Sequence, residues 1–249
     1  MLSKSQIRFI SALKQKKFRK EYGAFVVEGA KSVREFIDSG YAVQSIFCTP
    51  ETFTKMGKIP QNIELFEIST NELKKISNLT TPQGVLALVS IPEVQETEKA
   101  AEGFTLVLDD VQDPGNLGTI IRTADWFGMK NIICSIGSVD AYNPKTVQAS
   151  MGSLSRMQII YRNLADIFSS SKQPVFGAML DGHSIYDVDF GKSGYILLGN
   201  EGNGISEQIQ QFITKPVTIP RGGAAESLNV AVSAALFCSE VFRQRSSKK

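Results

Sequence analysis

The sequence has little of the chemistry on which many enzyme classes depend. Its 249 residues include a single histidine, His183, which excludes a zinc site built on two histidines. The three cysteines, Cys48, Cys134 and Cys238, lie far apart in the chain, so they provide neither a disulfide framework nor a local metal cluster. Scattered, unpaired cysteines are typical of a reducing compartment. We therefore expect a cytoplasmic protein that holds no metal.

Long apolar segments are also missing. No apolar run approaches the roughly 20 residues of a membrane helix, which argues against a membrane protein. The first residues, Met1 to Lys4, are polar and basic with no apolar stretch behind them, so we expect no secretion signal. Apolar residues nevertheless make up 42% of the chain, enough for a substantial core. The length fits one large domain or two ordinary ones of about 100–200 residues.

Negative charge is absent from the first 20 residues, which carry seven basic side chains: Lys4, Arg8, Lys14, Lys16, Lys17, Arg19 and Lys20. A basic segment of this kind indicates a polyanionic partner, or else a helix whose lysines point into solvent. Residues 5–20 are predicted to form that helix, with Ile7, Ile10 and Leu13 on its apolar side. Charge alone favours the solvated helix.

The first part of the chain is predicted to be a small α/β domain over residues 1–91. Strands are predicted over 25–28, 43–48, 63–68 and 85–90, with helices that begin at Gly29 and cover 71–76. The polar segment 92–103 is interpreted as a linker.

Residues 104–249 are predicted to form a second domain. Its strands are expected over 104–108, 131–136, 175–180, 195–198 and 216–219, and its helices over 116–127, 143–152 and 227–243. Fully apolar strands that alternate with helices are typical of a buried parallel sheet. His183 is expected in a surface turn.

Three loops rich in glycine and asparagine follow strands of this second domain, over 108–122, 198–206 and 219–229. In an open α/β sheet ligands bind at the carboxyl ends of the strands, so three such loops predict one composite pocket. None of them is a P-loop, a dinucleotide fingerprint or a Gly-x-Ser-x-Gly elbow, which leaves hydrolase and dehydrogenase functions unsupported.

The same loops carry a family resemblance. Residues 113–124, with Asp113, Asn116, Gly118 and Arg122, resemble motif 1 of the SpoU (TrmH) branch of the SPOUT RNA 2′-O-ribose methyltransferases. Residues 198–206 resemble motif 2, and residues 219–230 resemble motif 3. Segments 25–29 and 81–85 are similar to the family's N-terminal substrate-binding domain. One departure is Ala231, where many members have serine.

The resemblance implies an enzyme that transfers a methyl group from S-adenosylmethionine (AdoMet) to a ribose 2′-hydroxyl of structured RNA. It also implies a deep trefoil knot, formed by the last strands and the C-terminal helix, and a homodimer with active sites near the interface. The catalytic residues it implies are Arg122, Asn116, Glu201, Ser227 and Asn229. The residues it implies for AdoMet binding are Leu198, Gly199, Gly204, Ile219 and Leu228.

Five of these residues have a structural alternative. Arg122 either stabilises the developing alkoxide or pairs with Asp125 on its own helix. Asn116 and Ser227 are also typical helix N-caps. Ile219 and Leu228 would otherwise be ordinary core residues.

The target RNA is not written in the sequence. Ribosomal RNA is favoured over tRNA, because members with this N-terminal domain often act on it. The alternatives are a tRNA ribose methyltransferase, a base methyltransferase of the related knotted branch, and a catalytically silent RNA-binding protein.

Overall fold

The computed structural model describes residues 1–93 and 103–246, which form two compact units. Residues 1–93 and 140–156 make up the first unit, and residues 103–139 and 157–246 make up the second. Segment 140–156, which the sequence analysis placed in the second domain, belongs to the first unit. Most of the expected linker, residues 94–102, lies outside the described residues.

The described elements are numbered in chain order. The helices are α1 Lys4–Ala12, α2 Lys16–Tyr22, α3 Ala30–Ile37, α4 Pro50–Phe53, α5 Thr70–Ile76, α6 Pro114–Trp126, α7 Pro144–Ala149, α8 Leu164–Ser170, α9 Glu207–Gln210 and α10 Val230–Ser246. The strands are β1 Ala24–Glu28, β2 Val43–Cys48, β3 Glu64–Glu67, β4 Val85–Ser90, β5 Phe104–Leu108, β6 Asn131–Ser135, β7 Gln158–Arg162, β8 Val175–Ser184, β9 Gly194–Leu198 and β10 Lys215–Thr218. None of these helices is both long and apolar enough to cross a membrane.

The first unit has a four-stranded sheet in the order β1-β4-β2-β3, in which β4 runs antiparallel to both neighbours. The single helix expected over residues 5–20 is wrong: α1 and α2 are separate. The Arg19 guanidinium of α2 donates to the carbonyl oxygens of Leu13 and Lys14, 2.8 Å from each, and a continuous helix would bond those carbonyls internally. The expected apolar side of α1 is confirmed, since Ile10 and Leu13 are buried.

Segment 140–156 is held in the first unit by charge and by aromatic packing. Arg19, only 2% exposed, forms an ion pair of 2.6 Å with Asp140. The ring of Tyr142 lies 4.7 Å from the ring of Phe25. Arg156 pairs with Glu35 of α3. Segment 140–156, although distant in sequence, is therefore an integral part of the first unit.

The second unit is built on a six-stranded sheet in the order β10-β8-β9-β5-β6-β7, and every pair of strands is parallel. The predicted parallel sheet is confirmed, and β5 and β9 are buried at every residue. Because β5 and β9 are neighbours, the loops that follow them start side by side at the carboxyl edge. Strand β7 and helix α8 were not predicted.

Strand β8 departs from its partner β10 in the middle. Gly177 pairs with Pro216, and the next pair is His183 with Val217, so residues 178–182 leave the ladder. His183 therefore lies in a strand, exposed, and the turn expected for it is wrong. Thr218 Oγ1 donates to the Leu180 carbonyl over 2.9 Å, which fixes this excursion beside the end of β10.

Candidate functional site

A cavity of about 520 Å³ opens at the carboxyl end of the parallel sheet. Its walls are the loop after β9 (198–204), the segment from the end of β10 (217–223 and 225–228) and residues 178–180 of the β8 excursion. Its volume falls in the range of about 300–1,000 Å³ common for small-molecule sites. The second and third loops that the sequence analysis selected thus meet at one cavity.

All five residues predicted to bind a cofactor line this cavity: Leu198, Gly199, Gly204, Ile219 and Leu228. Leu228 is 51% exposed, which is not the state of a core residue. Leu180, also on the cavity wall, is 73% exposed. Two large apolar side chains are therefore exposed on the cavity wall, where a ligand with apolar surface would cover them.

Gly199 permits the tight closure of the loop after β9. A Cβ atom there would lie 2.1 Å from the carbonyl carbon of Gly204, closer than any side chain tolerates. Asn200 and Gly204 exchange two backbone hydrogen bonds of 2.9 and 3.0 Å across the loop. Gly204 itself has φ +69°, a conformation that favours glycine. The glycines of this loop shape the cavity wall.

Three of the predicted catalytic residues form one hydrogen-bonded series, here called the amide chain (Glu201, Asn116 and Asn229). Asn116 Nδ2 donates to Glu201 Oε1 over 3.0 Å. Asn229 Nδ2 donates to Asn116 Oδ1 over 2.9 Å. Asn229 Oδ1 accepts from the backbone amides of Ala231 and Val232 at the start of α10. The amide chain therefore connects all three motif loops.

Glu201 also accepts the backbone amides of Gln112 and Asp113, over 3.2 and 3.3 Å. Partial burial raises the pKa of its carboxyl, but the hydrogen bonds from Asn116 and from backbone amides outweigh burial and leave the pKa below its ordinary value. An ionised carboxylate that accepts three N–H groups is suited to holding the first loop in place.

Both helix caps proposed from the sequence are wrong. Helix α6 begins at Pro114, and its N-cap is Asp113, whose side chain accepts from the Asn116 amide over 2.9 Å. Helix α10 begins at Val230, and Asn229 rather than Ser227 binds its first amides. In both cases the polar residue nearest the helix start captures the free N–H groups.

Among the described residues, the two remaining candidates make no hydrogen bond to the amide chain. Ser227 is exposed and lines the cavity. Arg122 is exposed on α6, one turn after Gly118. No group of residues suited to hold a metal occurs in the described ranges 1–93 and 103–246.

The residues that tie the loops together were not predicted from the sequence. Asn200 Nδ2 donates to the Asp110 carbonyl over 2.7 Å, while Asn200 Oδ1 accepts from the amides of Gly202 and Asn203. Buried Asp109 accepts the Ser206 amide over 2.8 Å. The available signal was the residue type, since Asn and Asp in loops commonly bind backbone amides nearby.

Comparison with known proteins agrees with this geometry. Residues 103–239 match the SpoU rRNA Methylase family, and residues 4–87 match the MRM3-like substrate binding domain. The chain is 34% identical to the 23S rRNA (guanosine(2553)-2′-O)-methyltransferase RlmP of Bacillus subtilis over 233 residues, 90% of each protein.

Two solved structures share the fold over nearly the whole chain. A TrmH-family protein from Porphyromonas gingivalis is 42% identical, with a TM-score of 0.88 over 98% of this chain and 99% of that one. An AdoMet-bound rRNA methyltransferase from Sinorhizobium meliloti is 28% identical, with a TM-score of 0.87 over 98% and 97%. The fold and the site define a SPOUT-type RNA methyltransferase. This chain belongs to the SpoU rRNA methylase family.

Proposed function

We propose that the cavity at the end of the parallel sheet binds AdoMet and that the adjoining amide chain places an RNA ribose for methylation. The protein is an AdoMet-dependent RNA 2′-O-ribose methyltransferase that acts on ribosomal RNA. The observation that carries this conclusion is the convergence of sites: five predicted cofactor residues line one cavity, and Glu201 on its wall begins the amide chain. Membership in a family of rRNA methylases supports the substrate class.

The residues present fit the cofactor. Ile219 and Leu228 offer apolar surface for a flat adenine ring, and the backbone of the 199–204 loop offers amides and carbonyls for its polar edge. When bound, AdoMet supplies an electrophilic methyl group on a sulfonium. Arg122, Asn116, Glu201, Ser227 and Asn229 are the side chains proposed to act on the RNA.

Arg122 has the role of an electrostatic stabiliser. Its positive charge orients a neighbouring phosphate and stabilises the alkoxide that forms as the 2′-hydroxyl gives its proton to water. Glu201 acts through Asn116, because its oxygens already accept three N–H groups. Ser227 brings a hydroxyl to the cavity wall, and Asn229 brings its amide to Asn116.

A second copy of the chain is proposed to cover the outer face of α6 and α10. The two helices pack side by side, joined near their starts by Asn116 and Asn229 and near their ends by the rings of Phe127 and Phe242, 5.8 Å apart. Trp126, at the end of α6, is 84% exposed. Phe242 and Val232 of α10 are exposed as well. A homodimer would bury these side chains close to Arg122, one turn before Trp126.

Mapping of ribose methylation in total RNA from cells with and without the protein tests the proposed function. We expect one 2′-O-methyl mark on large-subunit rRNA to disappear. We propose that the protein acts on this RNA in the cytoplasm. A lost mark on tRNA, or on a base, would point to the corresponding alternative enzyme. Absence of AdoMet binding in isothermal titration would indicate the silent RNA-binding protein.

A further inference from the structure

Two opposite charges on the cavity wall have no role in the function proposed so far. Within the described part of the chain, the charged residues on this wall are Glu201, Arg221 and Glu226. The Glu201 carboxylate is already bound by the amide chain and by backbone amides of the first loop. Arg221 and Glu226 lie in sequence between Ile219 and Leu228, the residues that offer apolar surface for adenine. One segment therefore has apolar side chains at its ends and opposite charges between them.

These two charges are not neutralised by the rest of the protein. Every residue from 220 to 229 is exposed. Within residues 1–93 and 103–246, neither Arg221 nor Glu226 forms an ion pair. Both side chains are therefore available to a ligand that enters the cavity.

A hydrogen bond within the segment brings the guanidinium close to the carboxylate residue. Arg221 Nη1 donates to the Ala225 carbonyl over 3.2 Å, and that carbonyl belongs to the peptide that leads into Glu226. Among the described residues, Arg221 Nε and Nη2 have no partner, and these two groups form the parallel pair that binds both oxygens of a carboxylate. The Glu226 carboxylate can accept hydrogen bonds from an ammonium. The wall thus offers a carboxylate site with an ammonium site beside it.

This charge pattern matches an α-amino acid, in which the carboxylate and the ammonium are attached to the same carbon. AdoMet has such a group at the end opposite its adenine. A phosphate of RNA would be attracted by Arg221 but repelled by Glu226. The paired charges therefore favour the amino-acid end of the cofactor over a nucleic-acid backbone.

We propose that Arg221 binds the α-carboxylate of AdoMet and that Glu226 binds its α-ammonium. The proposal rests on the proposed function, which places AdoMet in this cavity. It makes the two residues determinants of cofactor specificity, because they distinguish AdoMet from adenine nucleosides that have no amino-acid end. Neither residue was among those predicted from the sequence to bind the cofactor.

Isothermal titration of the full-length protein with two ligands tests the proposal. S-adenosylhomocysteine (AdoHcy) is AdoMet without the transferred methyl group and keeps the amino-acid end, whereas 5′-methylthioadenosine has the same adenosine and sulfur but no amino-acid end. The test variants are Arg221→Gln and Glu226→Gln, and Arg221→Lys keeps the positive charge. The matched controls are Lys192→Gln and Glu207→Gln, both exposed in the same unit and outside the cavity wall.

Each test variant should lower the preference for AdoHcy over 5′-methylthioadenosine by about tenfold, the lower end of the range for hydrogen bonds to charged groups. The affinity for 5′-methylthioadenosine should stay at its wild-type value, which also shows that the cavity is intact. Arg221→Lys should keep part of the preference, and both controls should match wild type.

An unchanged preference in Arg221→Gln, or an equal loss of affinity for both ligands, would overturn the assignment. Weaker RNA binding by Arg221→Gln with unchanged AdoHcy affinity would assign the guanidinium to phosphates instead. Wild-type protein that binds both ligands equally would exclude the amino-acid site alone. Wild-type protein that binds neither ligand would exclude the cofactor cavity and, with it, the proposed function.

Discussion

The side-chain amide of Asn229 donates to the side-chain oxygen of Asn116 across 2.9 Å, although 113 residues separate the two. Each end of the amide chain fixes its direction. The helix amides of α10 can only donate, so Asn229 must turn its oxygen toward them, and ionised Glu201 can only accept, so Asn116 must turn its nitrogen toward it. Every amide in the chain thus has one orientation, set by groups that do not flip.

Replacing Glu201 by Gln should disturb the hydrogen bonds that orient the amide chain. The new amide group places N–H donors against the N–H groups of Gln112, Asp113 or Asn116, and we expect turnover to fall by about tenfold or more as the first loop loses its anchor. Single-turnover methylation measures the effect. Glu207→Gln, an exposed carboxylate in the first turn of α9, is the control and should retain wild-type turnover.

The same variant carries a pH signature. The pKa of Glu201 is lower in the folded protein than its ordinary 4.5, so the ionised form stabilises the fold above that pH, and the contribution is lost as pH falls through the folded pKa. The difference in urea midpoint between wild type and Glu201→Gln should be constant from pH 7 to pH 5 and shrink below about pH 4.5. A difference that grows on acidification would contradict the assigned direction.

Arg122→Ala should leave AdoMet affinity within about tenfold of wild type and cut turnover by roughly 100-fold or more, the scale of losing an electrostatic stabiliser. Isothermal titration and a single-turnover assay separate the two effects. Lys130→Ala, another exposed cation of the second unit, serves as the matched control. Near-normal turnover of the Arg122 variant would exclude the proposed role.

Gly199→Ala should damage the cofactor cavity. Its Cβ would meet backbone atoms of Gly204 and Ile205 at 2.1 and 2.2 Å, so the loop must move, and an overpacking cost of about 1–3 kcal/mol corresponds to roughly 5- to 150-fold in AdoMet affinity. Gly223→Ala is the internal comparison: that glycine also lines the cavity, and an added Cβ there meets open space. Equal affinities for the two variants would show that the loop adapts.

Asp140→Ala should destabilise the first unit by about 3–5 kcal/mol, because it leaves the Arg19 guanidinium buried without its partner. Asp38→Ala removes an exposed pair with Arg34 and should cost less than about 1 kcal/mol. Urea unfolding measures both changes. AdoMet affinity of the folded Asp140 variant should equal that of wild type, since the cavity belongs to the second unit.

The dimer proposal can be followed by fluorescence, because Trp126 is the single tryptophan of the sequence and is 84% exposed in one chain. Its emission should shift to the blue as protein concentration rises and the second copy covers it. Trp126→Glu should give a monomer in sedimentation, whereas Tyr186→Glu, an exposed aromatic residue elsewhere in the second unit, should leave the assembly intact. A monomer at all concentrations would exclude this face.

Much of the second unit was predictable because its central strands, β5 and β9, are almost entirely apolar. Residues 104–108 are fully buried and were identified from composition alone. Strand β7 was missed because Gln158–Arg162 lies at the sheet edge, half-buried throughout, and mixes polar with apolar residues. The start of α6 was available in the sequence, since proline at the first helical position after Asp113 is a regular signal.

The site was predictable as a set of residues but not as a network. Glycine-rich loops after parallel strands identify the cavity, because the carboxyl ends of the strands share one edge. The partners of Asn116 are 85 and 113 residues away, and the direction of a side-chain amide depends on such distant donors and acceptors. The inward turn of Arg19 is equally long-range, since it is decided by Asp140.

The place of residues 140–156 in the first unit bears on how the chain is made. A nascent chain that has reached residue 93 already contains the four strands of the first sheet, but Asp140, the counter-charge for Arg19, is still to be synthesised. Domains generally fold as units during synthesis, with the N-terminal domain first. Here the segment that completes the first unit is encoded after β6, so any transfer of this unit to another protein should carry both pieces of chain.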